Sequence, residues 1–207
     1  MTEIYHITHL QNLESIILHG GLWCDRERLR RKLASVGIAH NHIKDRRARR
    51  AVPTCKGGTL ADYVPFYFGP RSPMLFAIHR GLVPQYREGQ GGIVHLVSTV
   101  EQVLAENLAF TFTEGHAEMA YSSFFEKTED LCKIDWSVMK TNYWNDTVSE
   151  PDRKRKRQAE LLTYSFFPWK AFSSIGVIDS ETASRVRKII QAANHQPAVG
   201  VNRGWYY

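Results

Sequence analysis

The sequence predicts an α+β fold, and two observations carry that prediction. Short apolar runs of strand length recur between stretches with helical spacing, and the strand-like runs crowd toward the middle and the end of the chain. The 207 residues are 43% hydrophobic and 23% charged, a composition typical of one globular domain with a sizeable core. We therefore expect a single domain over residues 1–207.

The predicted strands are short runs rich in β-branched and aromatic residues that are bounded by turn residues. The first covers 5–7, and the most distinctive covers 63–68, where a glycine pair precedes an almost wholly aromatic and apolar segment. Pro70 and Pro73 follow it, and because proline lacks a backbone donor we expect the strand to end near Phe68. The remaining predicted strands are 93–98, 110–113, 160–164, 175–178 and 197–201.

The predicted helices follow from apolar residues at helical spacing and from capping signals. A capping box at Thr8 and Gln11 is expected to open the first helix, with Leu13 and Ile16 on its apolar face and Gly20 at its end. Residues 24–34 and 40–50 are expected to form two polar helices or partly mobile segments, and further helices are expected at 74–78, 99–105 and 181–193. The segment 114–144 is expected to be mostly helical, with a core made by Phe124, Phe125, Leu131, Ile134, Trp136 and Tyr143.

Several classes of protein are excluded by composition. No apolar run approaches the ~18 residues that a membrane span requires, so no membrane association is expected. Cys24, Cys55 and Cys132 are isolated, which argues for a reducing cytoplasm and against a disulfide framework or a zinc site. The nine histidines are scattered without metal-ligand spacing, so no metal is expected.

Positive charge is concentrated in one segment. The whole chain carries +6, whereas residues 26–50 contain ten Lys or Arg and only two acids, which leaves about −2 for the rest. An arginine-rich stripe of this kind favours a polyanionic partner, with nucleic acid first. The alternative is a solvated helix face that binds nothing.

Three separated motifs fit the chemistry of breaking the nicotinamide–ribose bond of NAD. The resulting ribose cation needs a carboxylate, a flat stacking surface and polar groups that orient the sugars. Glu160 begins an apolar strand and offers a partly exposed carboxylate, Tyr67 offers the stacking surface, and His6 and Thr8 offer polar groups on one strand. Taken singly, such residues are more often surface carboxylates, core aromatics and structural histidines.

The chain also resembles a known family over nearly its whole length. The motifs that carry the resemblance occur in order, and residues 57–74 are the most specific of them. Together they resemble the DarT family of DNA-targeting ADP-ribosyltransferase toxins. The motifs are Tyr5 to His9, Asn12, Leu13, Ile16, Leu22, 42–47, 57–74, 110–113, His116, Asp135, Trp136, 158–160, 167–169 and 205–207.

The resemblance implies an ADP-ribosyltransferase fold with a central mixed β-sheet and peripheral helices. It implies transfer of ADP-ribose from NAD, used as a substrate, to thymine in single-stranded DNA, with Arg47 and Glu160 as the catalytic pair. The implied NAD-binding residues are His6, Ile7, Thr8, Ser15, Leu22, Arg47 and Tyr67. Residues 28–50 would form a mobile element over the NAD, and residues 116–160, which begin at His116, would present the DNA.

The basic stripe and the exposed aromatics complete the expected DNA surface. His116, Arg46, Arg49 and Arg50 are expected to bind DNA, and Tyr143 or Trp144 could stack on flanking bases. Arginine is a poor general base because its pKa lies above ~12. We therefore expect Arg47 to stabilise negative charge developing on thymine N3, with the proton lost through Arg47 transiently or through water.

Two other functions remain open from the sequence. The same cleft could serve an NAD-dependent RNA-modifying enzyme, or the chain could be a non-catalytic nucleic-acid-binding protein in which the basic stripe is the functional part. Retention of both Arg47 and Glu160 argues against the second. The resemblance further implies a monomer in the bacterial cytoplasm and a macrodomain antitoxin as partner.

Overall fold

Eight strands form one sheet through the middle of the protein in the computed structural model, which describes all residues from 1 to 207. The strand order is β10-β9-β4-β1-β3-β7-β5-β6, and every neighbouring pair is antiparallel except β9 and β10. The expectation of a central mixed sheet is therefore confirmed. These strands are β1 Glu3–His9, β3 Tyr63–Tyr67, β4 Ile93–Thr99, β5 Phe110–His116, β6 Phe124–Phe125, β7 Ala159–Tyr164, β9 Ser174–Val177 and β10 Ala198–Val201.

Short helices surround the sheet, and most of them lie where the sequence predicts. The α-helices are α1 Leu13–Leu18, α2 Asp25–Arg30, α3 Asn41–Arg47, α4 Pro73–His79, α5 Val100–Ala105, α6 Trp136–Lys140, α7 Arg153–Lys156 and α8 Ser180–Ile190. Short 3₁₀ segments occur at Leu10–Asn12, Leu60–Asp62, Thr128–Lys133, Trp169–Ala171 and Arg203–Trp205. No helix is long and apolar enough to cross a membrane.

A second, two-stranded sheet was missed by the sequence analysis. It pairs β2 Gly21–Trp23 with β8 Phe166–Pro168, two segments that are too short to show a strand period. Gly21 is required there, because a Cβ at this position would lie 2.1 Å from the carbonyl oxygen of Phe167. The pair places the chain just after α1 against the segment that follows β7.

Two local predictions near the N-terminus and in the middle of the chain were wrong. The first turn is capped by His9, whose Nδ1 accepts from the backbone N–H of Gln11, whereas Thr8 accepts from the side chain of Asn12. Residues 114–144 are mostly not helical: β5 continues to His116, and β6 and a 3₁₀ turn come before the single helix α6. His116 pairs with Ala159 of β7, and this pairing keeps the end of β5 in the sheet instead of in a helix.

The core lies on both sides of the sheet and is apolar. The larger cluster contains Ile4, Phe66, Phe112 and Phe167, each with no exposed surface, together with residues of α1, α5 and α8. Among the expected core residues of 114–144, Ile134 is buried and Tyr143 is not: 83% of it is exposed, whereas its neighbour Trp144 is 5% exposed. Trp144 therefore cannot stack on a base without leaving its site.

Candidate active site

The sheet brings the three sequence motifs together on three adjacent strands. β3 lies between β1 and β7, so the histidine, tyrosine and glutamate motifs, which are far apart in sequence, become neighbours. Tyr67 is directly opposite Glu160 in the β3–β7 ladder and opposite Tyr5 in the β1–β3 pair. This register puts a carboxylate beside an aromatic ring at one edge of a cleft.

The cleft runs along this end of the strands and is roofed by the segment between α2 and α3. It encloses about 1320 Å³, including the part open to solvent. All the residues expected to bind NAD line it, together with Glu160 and His116. They are His6, Ile7, Thr8, Ser15, Leu22, Arg47 and Tyr67.

Glu160 is held at three points in the cleft wall. It is 2% exposed, which corrects the expectation of a partly exposed carboxylate. Its Oε2 accepts from Nη1 of Arg47 at 2.8 Å, and its Oε1 accepts from the backbone N–H of Ala117 at 3.2 Å. Its own N–H donates to Oγ1 of Thr113 at 3.3 Å. The carboxylate is therefore ionically paired and its direction is fixed.

A bulge in β5 creates the site for this carboxylate. The ladder pairs Phe112 with Leu161 but His116 with Ala159, so β5 uses four steps where β7 uses two. The extra residues fold onto themselves, with Oγ1 of Thr113 donating to the carbonyl of Gly115 at 2.6 Å. Bulges of this kind bend a strand and redirect its groups, and here the bend brings the Ala117 N–H to Glu160.

Arg47 reaches the same carboxylate from the other side of the cleft. It is the last residue of α3, and 12% of its side chain is exposed. Burial opposes its charge, but the Glu160 carboxylate outweighs that effect and raises the pKa of Arg47 above its ordinary value. Nη2 of Arg47 is buried without a hydrogen-bond partner. A buried donor of this kind needs an acceptor, and a bound substrate can supply one.

The first strand contributes a neutral histidine to the cleft. Nδ1 of His6 donates to the carbonyl of Pro65 at 2.8 Å, which leaves Nε2 as an acceptor in the neutral ring. Burial lowers the pKa of His6, more than the Pro65 carbonyl raises it. Burial and the Glu160 carboxylate together raise the pKa of Tyr67, so its hydroxyl stays protonated.

The roof of the cleft is fastened by a residue to which the sequence analysis gave no role. The side-chain amide of Asn12 accepts from the N–H of Val36 at 2.7 Å and donates to its carbonyl at 3.1 Å, as a paired strand would. The same Nδ2 donates to Oγ1 of Thr8 at 3.0 Å. Nη1 of Arg28 donates to Oγ of Ser35 at 3.0 Å. Asn12 belongs to one of the family motifs, which was the only signal available for it.

Two of the arginines expected to bind DNA are occupied within the protein. Arg46 forms an ion pair with Glu118, and Arg50 donates to the carbonyls of Ala117, Met119 and Ala120. Arg49 is exposed and forms no such contact. None of the three lines the cleft.

His116 lies in the cleft at the end of β5, where burial lowers its pKa more than the charge of Glu160 raises it. Its ring is therefore neutral near pH 7. No group of three or more His, Cys, Asp or Glu side chains is placed to hold a metal ion.

A protein-family model described as "DarT: ssDNA thymidine ADP-ribosyltransferase, DarT" matches residues 5–207. The chain belongs to the DarT family. Its similarity to individual DarT proteins also covers the full length. A DNA ADP-ribosyl transferase from Thermus sp. (strain 2.9) is 40% identical over 208 residues, which is 100% of this chain and 96% of the relative.

Solved DarT structures share the fold. Thermus sp. 2.9 DarT in complex with ADP-ribosylated ssDNA superposes with a TM-score of 0.93 at 40% identity, covering 100% of this chain and 96% of that one. The same protein in complex with NAD+ gives a TM-score of 0.88 at 37% identity, covering 100% and 98%. The resemblance, the fold class, the use of NAD as substrate and the transfer of ADP-ribose to DNA, all expected from the sequence, are confirmed.

Some DarT relatives are longer than this chain. A DNA ADP-ribosyl transferase-DNA ADP-ribosyl glycohydrolase fusion protein from Thermosipho africanus is 29% identical over 193 residues, which is 93% of this chain and 46% of the relative.

Proposed function

We propose that Glu160 and Arg47 are the catalytic pair with which this DarT-family enzyme moves ADP-ribose from NAD to thymine in single-stranded DNA. The observation that carries the proposal is the fixed Glu160 carboxylate, buried beside Tyr67 in a cleft lined by every residue expected to bind NAD. The reaction breaks the bond between ribose C1′ and nicotinamide, and it forms a bond between C1′ and N3 of thymine.

Glu160 stabilises the positive charge that develops on the ribose. A carboxylate in a site with little water acts more strongly on such a cation than it would in bulk solvent. Its hydrogen bonds to Arg47 and Ala117 hold it in place before the reaction. The charge therefore needs no reorganisation as the nicotinamide leaves, and the Tyr67 ring provides the flat surface against which nicotinamide packs.

Arg47 acts on the thymine. The Glu160 carboxylate keeps the guanidinium protonated and charged. Arg47 is therefore a poor acceptor for the N3 proton. Its unpartnered Nη2 is the donor available to a thymine oxygen. Donation there stabilises the negative charge left on the ring when the N3 proton passes to water, and it orients N3 toward C1′.

The remaining cleft residues bind the dinucleotide. His6 offers Nε2 as an acceptor for a ribose hydroxyl, because its Nδ1 is committed to Pro65. Ile7, Thr8, Ser15 and Leu22 line the same wall and are proposed NAD contacts. Residues 28–50, which include the roof described above, form a cover over the NAD. This cover is fastened to Asn12 through Val36.

The DNA enters from the side of His116, and we propose that residues 116–160 present the target base. His116 lies in the cleft close to the catalytic pair. Arg49, which is exposed, is the proposed phosphate contact on the cover, and Tyr143, also exposed, is available for stacking on a flanking base. Arg46 and Arg50 act within the protein instead.

The biological setting is also part of the proposal. The fusion relative, whose name joins the transferase to a DNA ADP-ribosyl glycohydrolase, supports a macrodomain antitoxin that removes the modification from DNA. We further propose that the enzyme is a toxin, that it is monomeric, and that it works in the bacterial cytoplasm, where its cysteines stay reduced.

The test is to incubate the enzyme with NAD and mixed-sequence oligonucleotides, and to locate the product by mass spectrometry with fragmentation. ADP-ribose is expected on thymine in single-stranded DNA, with nicotinamide released in equal amount. Duplex DNA should react little, because unstacking a base costs a few kcal/mol. Equal labelling of RNA would favour the RNA-modifying alternative, and an adduct on guanine, a phosphate end or a protein side chain would refute the acceptor.

A further inference from the structure

Arg50 makes a set of contacts that differs from those of a DNA-binding arginine. Its Nε donates to the carbonyl of Ala117 at 3.4 Å, and its Nη2 donates to the carbonyls of Met119 at 3.2 Å and Ala120 at 3.4 Å. The guanidinium also lies 5.8 Å from the centre of the Phe124 ring. One side chain thus holds the turn of residues 117–120 through its backbone.

This turn is the one that holds the catalytic carboxylate. The N–H of Ala117 donates to Oε1 of Glu160, while the carbonyl of the same residue accepts from Arg50. Oε2 of Glu160 accepts from Arg47, which lies three residues before Arg50. The contacts therefore close a ring from Arg50 through Ala117 and Glu160 to Arg47 and back along the chain.

A second contact ties the same two segments together. Arg46 pairs with Glu118, whose side chain is 10% exposed, so the cover and the 117–120 turn are joined on either side of Arg47. The backbone of Arg50 is itself fixed, because its carbonyl accepts from the N–H of Leu60 at 3.0 Å and its N–H donates to Arg46. Because its backbone is fixed, the Arg50 side chain can hold the 117–120 turn in one position.

We propose that Arg50 is a positioning residue for Glu160, which acts by holding the 117–120 turn rather than by binding a DNA phosphate. The proposal rests on the catalytic role given to Glu160 above. Two of its three guanidinium nitrogens already donate to carbonyls, so fewer donors remain for a phosphate. Loss of the contacts would let the turn move and would misplace the carboxylate against the ribose.

The experiment compares Arg50→Lys, Arg50→Gln and the charge-matched control Arg80→Gln, which lies in an exposed position at the end of α4. Lysine keeps the charge but cannot donate to three carbonyls from one planar group. The readouts are kcat and KM for NAD, the salt dependence of single-stranded DNA binding, and amide hydrogen exchange over 117–120. Thermal melting checks folding, and Arg50→Lys carries the test if Arg50→Gln does not fold.

We expect Arg50→Lys to lower kcat by about 10- to 100-fold, since a 1 Å misplacement of a reacting group costs on the order of 10²-fold. KM for NAD should change little, and exchange at 117–120 should become faster. The salt slope of Arg50→Gln should match that of Arg80→Gln. If Arg50 contacted a phosphate, Arg50→Gln would instead show a shallower plot of log binding constant against log salt concentration, by about 0.7 for single-stranded DNA.

Two results would overturn the proposal. One is wild-type kcat in Arg50→Lys, whether or not exchange at 117–120 changes. The other is a reduced salt slope in Arg50→Gln with unchanged exchange, which would make Arg50 a phosphate contact. Glu160→Gln, assayed in parallel, separates a failure of the Arg50 proposal from a failure of the proposed function. If Glu160→Gln keeps its activity, the catalytic role given to Glu160 is wrong. Hydrogen exchange at 117–120 still reports whether Arg50 holds the turn.

Discussion

Replacing Glu160 by glutamine should affect both activity and stability, because the structure places this carboxylate in a buried ion pair. The side chain of Glu160 is 3% exposed and that of Arg47 12% exposed. Glutamine has nearly the same shape but no charge, so it leaves the Arg47 guanidinium buried without a counter-ion. Breaking a buried pair from one side costs about 3–5 kcal/mol, and the hydrogen bonds that glutamine can still make place the expected loss near the lower end of that range.

The effect on activity follows from the same charge. Removing a fixed group that stabilises charge in the transition state typically lowers kcat by about 10²–10³, or roughly 2.7–4 kcal/mol. We expect a loss of at least that size, because a neutral amide cannot stabilise a ribose cation as a carboxylate does. KM for NAD should change far less than kcat, since the other lining residues remain.

A double-mutant cycle separates the two effects. Arg47→Met should also lose stability, whereas Arg47→Met combined with Glu160→Gln should recover part of it, because no buried charge is then left unpaired. The double variant should remain inactive. Urea unfolding measures stability, and nicotinamide release with a thymine-containing oligonucleotide measures activity.

A peripheral ion pair provides the control. Glu106 accepts from Lys170, of which 67% is exposed, so Glu106→Gln should change stability by less than about 1 kcal/mol. The reasoning is refuted if Glu160→Gln unfolds as the wild type does and keeps activity within about tenfold, a barrier change of only ~1.4 kcal/mol.

Three further predictions concern other parts of the molecule. Asn12→Ala should raise KM for NAD several-fold with less change in kcat, because the cover loses both bonds at Val36; steady-state kinetics at saturating DNA measure this, and an unchanged KM would contradict it. Tyr143→Ala should weaken binding of single-stranded DNA by about 1–3 kcal/mol with unchanged melting, whereas Trp144→Ala should destabilise the fold by about 3–5 kcal/mol; equal melting of the two variants would be the contrary result. Burial lowers the pKa of His95 to about 4, so the unfolded chain takes up its proton first. The free energy of unfolding is therefore highest above pH ~6.5 and falls by up to about 3 kcal/mol as the pH is lowered toward 4. Urea unfolding across this pH range measures the effect, and the free energy of unfolding of His95→Gln should depend less on pH than that of the wild type.

The sequence predicted the elements with strong local signals and missed those that depend on partners. The aromatic strand ends at Tyr67, close to the prolines that were expected to stop it. In contrast, β2 and β8 are three residues each, and only their mutual pairing makes them strands. The expected helix over 114–144 failed for a related reason, since the apolar residues there serve a strand end, a 3₁₀ turn and a short helix.

The sequence indicated the types and the order of the candidate site residues, but not whether they are buried or ion-paired. Nothing local indicates that Glu160 is buried, because its partner Arg47 is 113 positions away and reaches it from a different layer of the fold. No sequence pattern indicates the bulge at 113–115 either, although this bulge brings the Ala117 N–H to the Glu160 carboxylate. Tyr143 and Trp144 are adjacent aromatics of similar character, and only packing decides that the tryptophan is the buried one.

The basic stripe shows how many cations of a charged segment can be paired within the fold, which composition alone does not reveal. Six of the ten cations counted between 26 and 50 pair with carboxylates, and four of these carboxylates lie outside that window or at its edge: Asp25, Asp62, Glu118 and Glu160. A further cation, Arg50, is engaged by backbone carbonyls. Three cations of the cover, Arg46, Arg47 and Arg50, thus fasten it to other parts of the enzyme, whereas the pairs of Arg28, Arg30 and Arg31 are local to α2. Lys32, Lys44 and Arg49 form no such ion pair or carbonyl contact, so they are the cations of this segment whose charge is not already engaged.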